Sequence, residues 1–81
     1  MLNQVVIVGK VLEKPILEVD ENGMKFTKVV VEVERNFKNS QGEYECDTLT
    51  CTVFRLVAEE LVNRVDVNDL VGIKGRLQST N

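Results

Sequence analysis

The most regular alternation of apolar and polar side chains runs from residue 47 to residue 55. One parity is apolar and comprises Leu49, Cys51 and Val53, whereas the other carries three threonines and then Phe54. Because successive side chains of a strand point to opposite faces, this stretch predicts a strand with one buried and one solvated face. Phe54 ends the polar row. Its ring is either covered by the next element or left open to stack on a flat ligand such as a nucleic-acid base.

Three earlier segments also predict strands. Residues 5–8, Val-Val-Ile-Val, suit a strand buried on both faces, by its own barrel or by a second subunit, with a bulge or bend at Gly9. Residues 16–19 predict a short edge piece before a turn at residues 20–23. Residues 25–35 predict a long strand, because one parity is apolar at Val29, Val31 and Val33.

Residues 36–45 are polar, contain a glycine and lack a helical period, so they predict a long hairpin loop between two strands. The aromatic residues Phe37 and Tyr44 stand there among Arg35, Lys38 and Asn39. Aromatic and basic side chains interleaved on a hairpin favour a surface that follows a nucleic-acid backbone and stacks its bases. A loop that packs back on its own domain is the alternative.

The C-terminal part predicts one helix and one strand. Val57, Leu61 and Val65 recur at helical spacing, which indicates an amphipathic helix that ends near Asn68, a residue able to adopt a left-handed conformation. The last predicted strand has Val71, Ile73 and Leu77 on one side and Lys74, Arg76 and Gln78 on the other. This order of elements suggests an oligonucleotide/oligosaccharide-binding (OB) barrel without a visible fifth strand. A four-stranded open sheet with one helix is the alternative architecture.

Composition limits the class of protein. The chain has 81 residues, of which 43% are hydrophobic and 28% charged, so we expect one small ordered domain without a membrane partner. The net charge is −3. Acidic and basic residues balance elsewhere, so the excess comes from Glu43, Glu45 and Asp47. A basic groove remains compatible with this distribution, although long-range attraction for phosphates should be modest.

The sequence gives little support for a catalytic or metal-binding site. The chain has no histidine, and Cys46 and Cys51 should point to opposite faces of one strand, so no zinc site, cofactor or disulfide is expected. Neither cysteine has a base partner, and no glycine-rich phosphate loop follows a strand. We therefore expect reduced thiols in the cytoplasm, no small-molecule substrate and no enzymatic activity.

Several motifs resemble the bacterial single-stranded DNA-binding protein family, in its order and spacing. They are residues 5–10, Val-Val-Ile-Val-Gly-Lys, with Pro15 following, then Arg35-Asn-Phe37, then residues 47–55 with Ala58-Glu59, and lastly Gly75-Arg-Leu-Gln78. The resemblance covers nearly the whole chain. It implies an all-β OB fold for residues 1–81, a five-stranded Greek-key barrel with one short helix between strands three and four. It also implies a homotetramer of paired dimers that binds single-stranded DNA without strong sequence preference, in replication, recombination and repair at the nucleoid.

The resemblance also implies site residues. Phe54 and Phe37 stand where the family places stacking aromatics. The expected phosphate contacts are Lys10, Arg35, Arg55 and Arg76, and the hairpin and last strand add Lys38 and Lys74. Thr48 stands where the family often has another aromatic residue, and Leu56, Gln78 and Thr80 fall at or beside positions that are often basic. The family continues beyond residue 81 with an aromatic residue, the last strand and a tail with an acidic tip, so this chain is expected to lack them.

Two further expectations complete the sequence-based picture. The alternative function is an OB-fold protein-interaction module of a replication or primosome assembly, with weak DNA affinity. Self-association is expected to begin as a two-fold dimer through residues 1–8, doubled to a tetramer. Replacement of Ile7 by lysine is expected to give monomers or an unfolded chain.

Overall fold

The computed structural model describes residues 1–80. Its elements in chain order are β1 (Val5–Val11), β2 (Glu18–Val19), β3 (Lys25–Lys38), β4 (Tyr44–Phe54), α1 (Arg55–Arg64) and β5 (Leu70–Gly75). All strand pairs are antiparallel. β3 pairs with β4 along one edge and with β2 and then β1 along the other, and β5 pairs with the second edge of β1. The four long strands and the helix thus follow in the predicted order, and β2 is the expected edge piece. No helix in this part of the chain is long and apolar enough to cross a bilayer.

The core lies on one face of the sheet and is built from β-branched side chains. Val11, Val29 and Val31 are fully buried, and Leu61 and Val65 from the helical segment pack against them. The predicted apolar parity of the long strand is therefore confirmed. Thr27 is also buried on this face, and its hydroxyl donates a hydrogen bond of 2.8 Å to the Ile16 carbonyl. Burial of this polar group therefore leaves no unpaired hydroxyl.

Gly9 marks a close approach between strands rather than a bulge. β1 pairs with β5 from Val5 to Lys10 without a register shift, but it pairs with β3 only at Lys10 and Val11. A Cβ atom at Gly9 would lie 2.8 Å from the carbonyl oxygen of Glu32, so only glycine fits where β3 comes alongside β1. Before this point, the edge of β1 that faces away from β5 has no strand partner within residues 1–80.

The loop between β3 and β4 is shorter than predicted. The sequence assigned residues 36–45 to a loop, but only residues 39–43 lie outside the two strands. The Asn39 side chain explains the difference, because its Oδ1 atom accepts hydrogen bonds from the backbone N–H groups of Gln41 at 2.9 Å and Glu43 at 3.0 Å. This turn closes compactly, with Gly42 at a φ of 78°, and lets both strands continue toward it.

The extended part of the hairpin projects from the sheet. Between the pairs Glu34–Cys46 and Lys38–Tyr44 the register shifts, so that four residue steps of β3 oppose two of β4. β1 no longer accompanies β3 here. We call residues 34–46 the hairpin arm. Both of its faces are open to solvent because only two strands form it.

The C-terminal part departs from prediction at two side chains. Val57 was assigned to the buried helix face but is exposed, because Ala58, Leu61 and Val65 form the stripe that meets the sheet. Leu77 was assigned to the last strand, which ends at Gly75 instead. The side chain of Asn3 hydrogen-bonds the Leu77 backbone, donating to its carbonyl at 2.8 Å and accepting from its N–H at 3.0 Å.

Candidate nucleic-acid interface

Phe54 lies on the outer face of the sheet, which is the face opposite the buried valines. It stands directly across from Phe26 in the β3–β4 ladder, and its side chain is 52% exposed. α1 begins at the next residue but does not cover the ring. Directly opposed side chains have Cβ atoms about 4.5–5.5 Å apart, so Phe26 is the nearest cross-strand neighbour of Phe54. The exposed ring is therefore available for stacking.

The outer face of β4 forms a continuous track. Alternate residues along the strand share this face: Tyr44, Cys46, Thr48, Thr50, Thr52 and Phe54. At about 3.4 Å per residue, the track from Tyr44 to Phe54 is about 34 Å long. The structure thus confirms the polar threonine face and places an aromatic ring at each end of it. A surface of this length can accommodate several nucleotides of an extended strand.

Lys38 and Tyr44 form the second aromatic end of the track. The Lys38 ammonium lies 5.6 Å from the centroid of the Tyr44 ring, within the range of a cation–π contact. Lys38 forms no salt bridge with a carboxylate among residues 1–80. Its positive charge therefore stays available to a phosphate group beside the tyrosine ring.

Phe37 is exposed but faces away from this track. Its side chain is 65% exposed, and it is the strand neighbour of Lys38. Because side chains alternate between the faces of a strand, Phe37 and Lys38 point to opposite sides of the hairpin arm. The aromatic and basic cluster predicted for the hairpin is therefore divided between two faces.

Arg35 is held by two carboxylates. Its Nε and Nη2 atoms donate to the Asp47 carboxylate at 3.1 and 2.9 Å, and its Nη1 atom donates to Glu45 at 2.9 Å. The hydrogen bond from Arg35 holds the pKa of Asp47 below its ordinary value. Two of the three acids that account for the net charge are thus paired with this guanidinium. A phosphate reaches Arg35 only by displacing a carboxylate, which weakens its case as a DNA contact.

The other predicted cations fall into separate regions. Lys10 lies on the outer face, with its ammonium 3.8 Å from the Glu32 carboxylate. Arg55 directly follows Phe54 and begins α1 with a φ of 62°. Lys74 lies on β5 opposite Val6, and Arg76 follows the end of β5. The structure therefore brings Arg55 to the Phe54 end of the track and leaves Lys74 and Arg76 near β5.

Lys28 is an outer-face cation that the sequence did not single out. It is exposed, stands opposite Thr52 and forms no salt bridge with a carboxylate in the described part of the chain. Its parity matches that of Phe26, so the sequence places it on the solvated face of the long strand. Only the β3–β4 register shows that this position lies beside Phe54.

The cysteines offer no reactive centre. Cys46 lies on the outer face of β4 and Cys51 on the core face, and both are free thiols, which confirms the predicted opposite orientation. Burial raises the pKa of Cys51. Burial, followed by the charge of Glu32 and Glu34, raises the pKa of Cys46. Both thiols are therefore neutral and weakly nucleophilic near neutral pH. Residues 1–80 contain no cluster of side chains with the composition of a metal site.

The sequence matches the model of the Single-strand binding protein family over residues 2–81. The chain belongs to this family. The match includes both ends of the outer-face track and the whole hairpin arm.

Relatives and a solved structure agree with this assignment. The chain is 40% identical over 81 residues to single-stranded DNA-binding protein 1 of Staphylococcus aureus (strain COL) and covers 48% of that protein. It is 38% identical over 81 residues to single-stranded DNA-binding protein A of Bacillus subtilis (strain 168) and covers 47% of it. The chain thus spans about half the length of these relatives.

The fold comparison confirms the predicted OB architecture. The crystal structure of the SSB domain of a Synechococcus sp. protein is similar to this chain, with a TM-score of 0.78 and 26% sequence identity. The similarity covers 98% of this chain and 83% of that chain. The fold is therefore mostly β, with one helix that follows the third long strand.

Proposed function

We propose that this chain binds single-stranded DNA with little sequence preference, along the outer face of β4. The exposed Phe54 ring carries the proposal, because an aromatic side chain at the end of a threonine track has no packing role that accounts for its position. Phe54 stacks a base at one end and Tyr44 offers a second ring at the other. Stacking tolerates any base because every base has a π face. In the cell, this activity serves replication, recombination and repair in the cytoplasm, at the nucleoid.

Substitution of Phe54 by alanine tests the stacking role. The change is expected to weaken binding of a labelled oligothymidylate by about 1–3 kcal/mol, roughly 5- to 150-fold, measured by fluorescence anisotropy. Thermal stability should change little because the ring is half exposed. Leu77→Ala is the matched control, since Leu77 is an exposed apolar residue outside the track. Unchanged affinity, or a large loss of stability, would contradict the stacking role of Phe54.

A protein-interaction module is the alternative function, and one observation favours it. Glu32 and Glu34 lie on the outer face between the two basic ends of the track, and Arg35 is already paired. These charges reduce the attraction for phosphates. Single-strand binding requires an affinity that falls with added salt and that a DNA duplex does not compete for. An oligothymidylate that fails to bind at low salt would favour the protein-interaction module.

Self-association through β1 forms part of this proposal. Val6 and Val8 on β1 and Leu70 on β5 share the outer face and are 70%, 58% and 75% exposed. The free edge of β1 before Gly9 can pair antiparallel with the same edge of a second copy around a two-fold axis. A second two-fold contact through a different surface would double the dimer to a tetramer. Met1 and Leu2 extend the exposed apolar surface at the same end of the chain.

The surface area of the chain supports the same conclusion. A folded monomer of 9.2 kDa is expected to expose about 4,900 Å². This chain exposes 6595 Å². Part of the excess belongs to the projecting hairpin arm, and part to the outer face of β1 and β5. The difference of about 1,700 Å² is about twice the roughly 800 Å² that each partner buries in a standard protein interface.

A further inference from the structure

Two cations without acidic partners flank the Phe26–Phe54 pair on the outer face. Lys28 is one alternation step from Phe26 along β3, and Arg55 directly follows Phe54. Within residues 1–80, neither side chain forms a salt bridge or a hydrogen bond with another side chain. Four other cations, Lys10, Lys14, Lys25 and Arg35, are paired with carboxylates. The free positive charge of β3 and α1 at this end of the track therefore lies beside the aromatic pair.

The distances fit a contact across one nucleotide. Lys28 is a diagonal neighbour of Phe54 across the β3–β4 ladder, because Lys28 pairs with Thr52. Diagonal neighbours are about 7–8 Å apart, so the long lysine side chain reaches past the ring on one side. Arg55 follows Phe54 directly, where the backbone turns into α1.

Open space lies beyond Arg55. A groove of about 450 Å³ runs between the turn before β3 and the first turn of α1, with Arg55, Leu56 and Met24 among its lining residues. The Lys25 ammonium in this groove is paired with Glu59 at 2.6 Å, so the unpaired positive charge of the groove belongs to Arg55. The groove lies beside α1, which packs on the core face, so a strand that passes over Phe54 on the outer face reaches it only by turning around the end of β4 at Arg55.

We propose that Lys28 and Arg55 hold the two phosphates that flank the base stacked on Phe54. This inference rests on the proposed single-strand binding and names the residues that fix the strand at one end of the track. The aromatic pair supplies the stacking surface, and the two cations supply the charge. Glu18, which stands opposite Phe26 on β2, lies on the far side of the pair and opposes a path across β2. A path along β4 avoids this negative charge.

The salt dependence of affinity tests the contact at Lys28. Lys28→Gln should weaken oligothymidylate binding about three- to tenfold and reduce the slope of log affinity against log salt by about 0.7, the amount for one phosphate contact on a single strand. Arg64→Gln is the control, because Arg64 is an exposed cation in the last turn of α1 without a salt bridge in the described residues. It carries the same change of charge but should leave the slope unaltered. Lys28→Arg, which keeps the positive charge, should have the salt slope of the unmodified protein.

A tryptophan reporter separates this inference from the proposed function. The chain contains no tryptophan, so Phe54→Trp introduces a single fluorophore at the stacking position. Oligothymidylate should quench its fluorescence, and adding Lys28→Gln should lower affinity while leaving the quenching at saturation unchanged. Two results would overturn the role of Lys28 while leaving the proposed function intact. The first is quenching together with an unaltered salt slope in the Lys28→Gln variant, and the second is an equal decrease of the slope in the Arg64→Gln variant. Absence of binding and of quenching in every variant would overturn the proposed function itself.

Discussion

Substitution of Val8 by lysine should separate the self-associated protein into protomers. Val8 lies on the outer face of β1, on the edge that we propose to pair with a second copy. Its exposed position means that the fold does not depend on it, whereas Ile7 packs against the core. Ile7, the substitution site suggested by the sequence, is therefore a poor choice, because a lysine there damages the fold as well as the interface.

The expected effect follows from the area that association can bury. Full burial of a valine side chain contributes about 1.5–3 kcal/mol, and Val8 still exposes 58% of its surface, so about 0.9–1.7 kcal/mol remains to be gained. In a two-fold dimer both copies of Val8 are buried, which gives about 1.7–3.5 kcal/mol per dimer, roughly a 20- to 400-fold change in Kd. Two lysines facing each other across the axis add repulsion, so this range is a lower bound.

Sedimentation velocity measures the result. The unmodified protein should sediment as an oligomer of the 9.2 kDa chain at about micromolar concentration, and the Val8→Lys variant should dissociate at concentrations at which the unmodified protein stays assembled. Val19→Lys is the matched control, since Val19 is an exposed valine on the edge strand β2. A stable monomer for the unmodified protein, or unchanged assembly of the Val8→Lys variant, would refute the role of β1.

The remaining predictions concern two side chains at the edges of the track. Arg35 lowers the pKa of Asp47, so the stability that Asp47 contributes is present above its unfolded pKa, near 3.8, and is lost as the pH falls through its folded pKa. Urea unfolding at neutral and acidic pH should show that acidification lowers the unfolding free energy less in the Asp47→Asn variant than in the unmodified protein. An equal decrease in both proteins would contradict the pairing of Asp47 with Arg35. Arg55→Gly should raise the unfolding free energy by about 0.5–1 kcal/mol. Glycine removes the steric cost of the left-handed backbone at φ 62°, but the greater freedom of glycine in the unfolded chain offsets part of this stabilisation. A decrease in stability would contradict that expectation.

Much of the fold could be predicted because it depends on local patterns. The alternation from Leu49 to Val53, the apolar parity of β3 and the helical spacing of Leu61 and Val65 each identify an element and its core side. Leu49 is the exception to the predicted burial, because it is 37% exposed and only Cys51 and Val53 of its row pack against the core. The left-handed conformation of Asn68 is also confirmed, with a φ of 75°. These features require only the residues of one segment, so the sequence contains all the information needed to find them.

The composition of the site depends instead on pairing between strands. Lys28 lies beside Phe54, and Lys38 lies beside the Tyr44 ring, only because of the β3–β4 register and the irregularity within the hairpin arm. The sequence alone predicts that Arg35 is free to contact DNA, but the hairpin places Asp47 and Glu45 in salt bridges with its guanidinium. A one-residue change of register would place each of these side chains on another face, so no local pattern determines them.

The outer face keeps the proposed DNA-binding surface apart from the proposed self-association surface. Phe54 stands on β4, whereas Val6 and Val8 stand on β1, and β3 lies between the two strands with Glu32 paired to Lys10. Lys74 stands opposite Val6, within the apolar association surface, so its predicted contact with DNA competes with a role at the subunit interface. Apart from Lys74, the two proposed surfaces share no side chain, so assembly is expected to place further stacking tracks beside the first without blocking it. The affinity of an oligomer for a long single strand should therefore exceed that of one protomer, through the higher effective concentration of linked sites.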